Sequence, residues 1–179
     1  MYFPEQIKEA FREDFSEIDN FGFVNNPTTV ITDFIQVGTL ELRGIGVPSI
    51  TAAQYIEESY QHAIDHDCIC IDIYIFAHSQ GAAILNNALP LIPEKIKPYL
   101  RILTLGGEQF VYEKSLGHIR NYNSQKDPIP EWSPWNWTIP SESIPGEKWF
   151  EHPRKYYIQY WKDHGLPEDF VRKHNDLSN

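Results

Sequence analysis

Five consecutive residues, Ala77-His78-Ser79-Gln80-Gly81, stand between the most apolar run of the chain and a segment with a helical pattern. A strand that turns sharply into a helix strains the backbone at the turn and admits only small residues two positions to either side. Ala77 and Gly81 meet that requirement. The turn lifts the Ser79 hydroxyl clear of a sheet. The helix N-terminus beneath it supplies N–H groups and a dipole that favour an anion. The chemistry this suits is acyl transfer, in which a serine oxygen attacks a carbonyl carbon, a base takes its proton and a carboxylate steadies the base. Asp127-Pro128-Ile129-Pro130 offers the carboxylate in a loop that proline holds rigid, as orienting an imidazole requires. The base must come from seven histidines. His78 adjoins Ser79, points away from its hydroxyl and reads as a packing residue. His164 falls near the end of a helical pattern, as a partner for the helix dipole, and His174 in a polar tail. His152 immediately precedes Pro153, where the last helical pattern begins. The plainer reading of the same residues makes Ser79 an N-cap, Gly81 a close-packing residue and Asp127 the cap of a proline turn.

Elements to position these groups are legible along the chain. Residues 4–16 carry Ile7, Phe11 and Phe15 at helical spacing behind Pro4, and short strands are expected at 21–24 and 29–37. Residues 51–65 read as a helix capped by Ser49 or Thr51, with Ala52, Tyr55, Ile56, Tyr60 and Ala63 on one face. The run at 68–77 predicts a central parallel strand covered on both faces. A helix over 82–91, strands over 100–105 and 118–123, and a last helix over 153–163 stopped by Gly165 and Pro167 follow. Trp149-Phe150 offers a minimal last strand. Alternating strands and helices predict an α/β fold, a small, mostly parallel sheet flanked by helices, with its chemistry at the carboxyl ends of the strands.

The sequence Ala77-His78-Ser79-Gln80-Gly81 resembles the nucleophile elbow G-x-S-x-G of the α/β-hydrolase family, with Ala77 in the first glycine position. His-Ser-Gln-Gly is the wording of many lipases and esterases, and Asp127-Pro128-Ile129-Pro130 is similar to the family's acid loop. The resemblance covers residues 65–165 well and the first 60 poorly. It implies a single minimal α/β-hydrolase domain over 1–179, with 128–150 a Trp- and Pro-rich loop. The family's chain order, nucleophile, then acid, then histidine, selects Ser79, Asp127 and His152. The backbone N–H of Gln80 is the implied first oxyanion donor, and Asn26 a candidate for the second. The implied activity is a serine hydrolase cleaving a small-molecule or lipid carboxylic ester, without metal or other cofactor. A thioesterase or amidase with the same triad is the alternative chemistry, and an eroded, non-catalytic binding protein the alternative class.

Composition narrows the partners. Lys plus Arg is 15 and Asp plus Glu is 25, giving a net charge of −10. That argues against nucleic acid and against anionic lipid headgroups, both of which are bound through cationic side chains. No stretch is long and apolar enough to span a bilayer, and Met1 to Gln6 shows no signal-peptide pattern, so cytoplasm is the default expectation. Cys68 and Cys70, the two cysteines, read as reduced, buried thiols. Asn136-Trp137-Thr138 has the form of a glycosylation acceptor, read as coincidence without an export signal. Four tryptophans, Trp132, Trp135, Trp137 and Trp149, fall between Asp127 and His152, as an aromatic cover for the sheet edge or a wall of a pocket.

Overall fold

The structure, a computed structural model, describes residues 45–66, 68, 71–116, 118–146, 154–167 and 170. The helix expected at 4–16, the strands at 21–24 and 29–37, and Trp149-Phe150 lie outside the described residues. Helix α1 (Val47–Asp65) starts four residues before the expected position. Pro48 fits the first turn, where a missing N–H is harmless. Gly46 holds the extended N-cap backbone, and its carbonyl accepts from the N–H groups of Ser49 and Ile50, each at 3.1 Å. Neither Ser49 nor Thr51 caps the helix. Ser49 is buried, and Thr51 Oγ1 donates back to the Val47 carbonyl at 3.0 Å. The buried stripe runs through Ser49, Ala52, Ala53 and Ile56 with Tyr60 beside it. Tyr55 falls off that stripe and is exposed.

Strand β1 (Ile73–His78) is shorter than the apolar run that announces it. Cys68 lies before it, free and exposed rather than buried. Iodoacetamide is therefore expected to alkylate Cys68 in the folded protein without denaturant, as peptide mass mapping would register; protection of Cys68 would contradict the exposure.

Helix α2 (Gln80–Ala88) and two single turns (Leu89–Leu91 and Lys97–Tyr99) carry the chain to β2 (Leu100–Leu105). Strand β3 (His118–Ser124), a one-turn helix α3 (Ile129–Trp132), a turn at Pro134–Thr138, strand β4 (Glu142–Ile144) and helix α4 (Arg154–His164) complete the described chain. The last two strands of the sheet are therefore β3 and β4, the latter inside the segment expected to be loop. The four strands are parallel, in the order β1-β2-β3-β4. The fold is thus α/β with a parallel sheet.

Strand β1 stands at one side of the described sheet, beside β2, rather than in its middle. Strand β2 is the more deeply buried of the two. Alternation along the strands divides two cores. Ile73, Ile75 and Ala77 with Leu100 and Ile102 meet Ala52, Ala53 and Ile56 of α1 and Ala82 and Leu85 of α2. Tyr74, Phe76, Leu103, Leu105 and Tyr122 form the other core with Tyr157, Ile158 and Trp161 of α4 and with Phe170. Helices on both faces explain why β2 is buried at nearly every position. Gly165, at φ 78°, ends α4, and its N–H donates to the Trp161 carbonyl at 2.8 Å.

The β2–β3 crossover has no helix among its described residues. Phe110 and Val111 are buried in it. Asn121 of β3 imitates a strand toward Val111: its Oδ1 accepts from the Val111 N–H at 2.9 Å and its Nδ2 donates to the Val111 carbonyl at 3.0 Å.

Candidate functional site

Ser79 follows the last residue of β1 and caps α2 with backbone alone; its side chain makes no cap hydrogen bond. Its backbone lies at φ 55°, ψ −124°. Among the described residues it alone has a positive φ without being glycine. Such a conformation costs on the order of 1–3 kcal/mol, so the surroundings must enforce it. Three bonds do so. The Ser79 N–H donates to the Leu105 carbonyl at 3.2 Å, and the Ser79 carbonyl accepts from Ala82 at 3.1 Å and from Glu108 at 3.2 Å. The serine is therefore fixed from the end of β2 and from the loop after it. Gln80 is the first helical residue, so its N–H belongs to the first-turn donors that have no carbonyl partner within the helix.

The expected crowding at the turn falls elsewhere. A Cβ built on Gly81 would lie 3.9 Å from the Cβ of Ala77, an ordinary contact. The tight positions are Gly106 and Gly107. A Cβ on Gly107 would meet the Ala82 Cβ at 3.0 Å. Gly106 has φ 54°, and a Cβ there would meet Asp127 Oδ2 at 2.5 Å and the Tyr157 hydroxyl at 2.7 Å.

Asp127 lies just past β3, at the same carboxyl end of the sheet as Ser79. It is 1% exposed. Its Oδ1 accepts from the Ile129 N–H at 3.0 Å, the proline-turn cap that its position allows. Its Oδ2 accepts from the Tyr157 hydroxyl at 2.6 Å. Ser79 and Asp127 are thus brought to either side of one turn: Leu105 binds the first, and Gly106 lies against the second.

His152 and Asn26 lie outside the described residues. His118 pairs with Arg101 at the start of β2, at the opposite end of the sheet from Ser79. The His62 and His66 rings lie tilted against each other at the end of α1, centroids 4.0 Å apart. His164 Nδ1 sits 2.8 Å from the Tyr160 carbonyl in the last turn of α4. His78 points to the α4 face, its ring edge-on to Tyr157 with centroids 6.1 Å apart.

Four neighbours escape sequence reasoning. Tyr157 and Gly106 set the surroundings of Asp127. Glu108 is buried and bonds the Ser79 carbonyl through its N–H. Asn136, buried at 6% exposure, ties the loop after β2 to the segment after Asp127. That burial removes it as a glycosylation acceptor in the folded chain. The glycine pair at 106–107 carried a signal: two glycines ending a strand mark a close approach as well as a stop. Among the described residues no cluster of His, Cys, Asp or Glu is arranged to hold a metal ion, and no helix is long and apolar enough to cross a membrane. No protein-family model, curated protein or solved structure matches the chain.

Proposed function

We propose that the chain is a serine hydrolase of the α/β-hydrolase type that cleaves a carboxylic ester through an acyl-enzyme. The observation that carries the reading is the backbone of Ser79, held at φ 55° between a parallel strand and a helix N-terminus. Strain of that kind is retained where it presents a group for chemistry. Asp127 at the carboxyl end of β3 supports the reading, because an acid in that place can orient a base above Ser79.

In the proposed reaction His152 takes the proton of Ser79 Oγ as the oxygen attacks the ester carbonyl carbon. The carbonyl oxygen becomes an oxyanion, stabilised by the N–H of Gln80 and by a second donor assigned to Asn26. Collapse breaks the bond to the alcohol oxygen, which leaves with the proton from His152. Asp127 steadies the imidazolium. Water, deprotonated by His152, then attacks the acyl carbon and frees the acid and Ser79. A thioester or an amide would follow the same steps with another leaving group.

One observation favours a second reading. Both carboxylate oxygens of Asp127 accept bonds from within the fold, as a purely structural turn would also require. The site would then bind a ligand without turnover. A fluorophosphonate probe separates the two. It is expected to label the protein at Ser79, and Ser79→Ala is expected to abolish labelling without unfolding the chain. Absence of labelling in folded wild-type protein overturns the hydrolase and leaves the binding site.

A further inference from the structure

We propose that Tyr157 is a positioning residue of the acid, its hydroxyl joining the Ser124 N–H to Asp127 Oδ2 and thereby setting the carboxylate that orients the base. The inference rests on the hydrolase reading of Ser79. Tyr157 is fully buried on α4. Its oxygen accepts from the Ser124 N–H at 3.1 Å and its proton goes to Asp127 Oδ2 at 2.6 Å. A hydroxyl that accepts a bond donates a stronger one, and a donor to a carboxylate makes the stronger class of hydrogen bond. The two Asp127 oxygens are therefore held by different parts of the fold, Oδ1 by the Ile129 N–H and Oδ2 by α4. Rotation about the Asp127 side chain must break one or both.

The surroundings leave little freedom for another arrangement. Gly106 opens the space, since any side chain there would overlap both the hydroxyl and Oδ2. His78, edge-on to the Tyr157 ring from β1, is the titratable side chain facing the tyrosine from that strand. A carboxylate can accept about four hydrogen bonds, so the two from the Ile129 N–H and Tyr157 do not exclude a further one from an imidazole. Tyr157 neutralises part of the charge that the imidazole meets. Under the hydrolase reading it acts on the base only through Asp127, by direction and by charge.

The test compares the rate of fluorophosphonate labelling against pH in wild type and Tyr157→Phe. Loss of the hydroxyl is expected to slow labelling at neutral pH on the order of tenfold. It also leaves the carboxylate more fully charged, so the acid limb of the profile moves to higher pH. 3-Fluorotyrosine placed at 157, a more acidic donor of nearly the same shape, is expected to move the limb to lower pH. It carries the test alone if Tyr157→Phe does not fold. The shift must persist with His78→Gln, which excludes His78 as its source. Labelling of Tyr157→Phe at the wild-type rate with a superimposable profile, an unmoved limb with 3-fluorotyrosine, or a shift that vanishes with His78→Gln overturns the inference while Ser79 remains a nucleophile. Failure of wild type to label overturns the hydrolase reading and the positioning role together.

Discussion

Gly106→Ala is expected to destabilise the protein by about 3 kcal/mol or more, the sum of overpacking and a left-handed backbone forced on an L residue. The new Cβ would lie 2.5 Å from Asp127 Oδ2 and 2.7 Å from the Tyr157 hydroxyl, neither of which is a free side-chain end. The carboxylate is tied to the Ile129 N–H and the hydroxyl to the Ser124 N–H, so each retreat breaks a buried bond. The φ of 54° adds its own strain and cannot be relaxed alone, because the Gly106 N–H donates to the Tyr122 carbonyl at 2.8 Å. Domains are stable by only about 5–15 kcal/mol, so such a change is visible in any denaturant titration. Gly81→Ala is the control. Its Cβ has 3.9 Å to the Ala77 Cβ, and alanine in α2 gains up to about 1 kcal/mol in helix propensity. Urea unfolding of the two variants beside wild type checks both. A Gly106→Ala midpoint equal to wild type would mean that Asp127 and Tyr157 do not occupy these positions.

The contrast between these glycines shows what the sequence could and could not convey. Gly81 sits in a recognisable pattern, Ala-His-Ser-Gln-Gly, whose small residues suggest crowding; the crowding lies one strand over, at Gly106 and Gly107. The pattern located the strand–turn–helix and the strained Ser79 correctly because both follow from local features, an apolar run, a turn and a helix face. Strand β2 was legible to the residue since Gly106 ends it and its apolar content requires two covered faces. The early start of α1 was not legible because residues 40–48 carry no clear pattern, although Pro48 fits a first turn. The strand at 142–144 was missed because three residues leave no periodicity. Tyr157 and Asn136 were illegible for a different reason. Apart from the Asn136 bond to Pro130, 6 positions away, their polar atoms act across 26 to 33 positions of chain, and only the folded arrangement of α4 and the loops brings their partners near.

Asn136→Ala is expected to be the most damaging alanine substitution among the described residues between Asp127 and α4, lowering stability by about 3 kcal/mol, since it leaves several buried backbone groups unsatisfied. Asn136 Nδ2 donates toward the carbonyls of Pro130 at 2.8 Å, Glu108 at 3.0 Å and Gly107 at 3.3 Å. Its Oδ1 accepts from the Phe110 N–H at 2.6 Å. One amide thus closes the loop that bonds the Ser79 carbonyl onto the segment that follows Asp127. Asn136→Asp is expected to be worse than its near-identical shape suggests: it keeps the acceptor for Phe110 but turns an oxygen toward three carbonyls, and it buries a charge. The order of stability is therefore wild type, then Ala, then Asp, the reverse of what preserved size would give. Exchange of the Phe110 amide distinguishes this account from general loosening. It should accelerate in Asn136→Ala well beyond the amides of β2, whereas in Asn136→Asp it should keep part of its protection at low denaturant because its acceptor remains. Equal acceleration of the Phe110 amide and the β2 amides would mean that Asn136 holds the whole domain rather than the two loops beside Ser79. Unchanged exchange in both variants would show that the Phe110 N–H has another partner. Because the loop it closes carries the Glu108 N–H to the Ser79 carbonyl, the Ala variant should also release part of the strain at Ser79 and slow probe labelling there, even where the sheet itself stays folded.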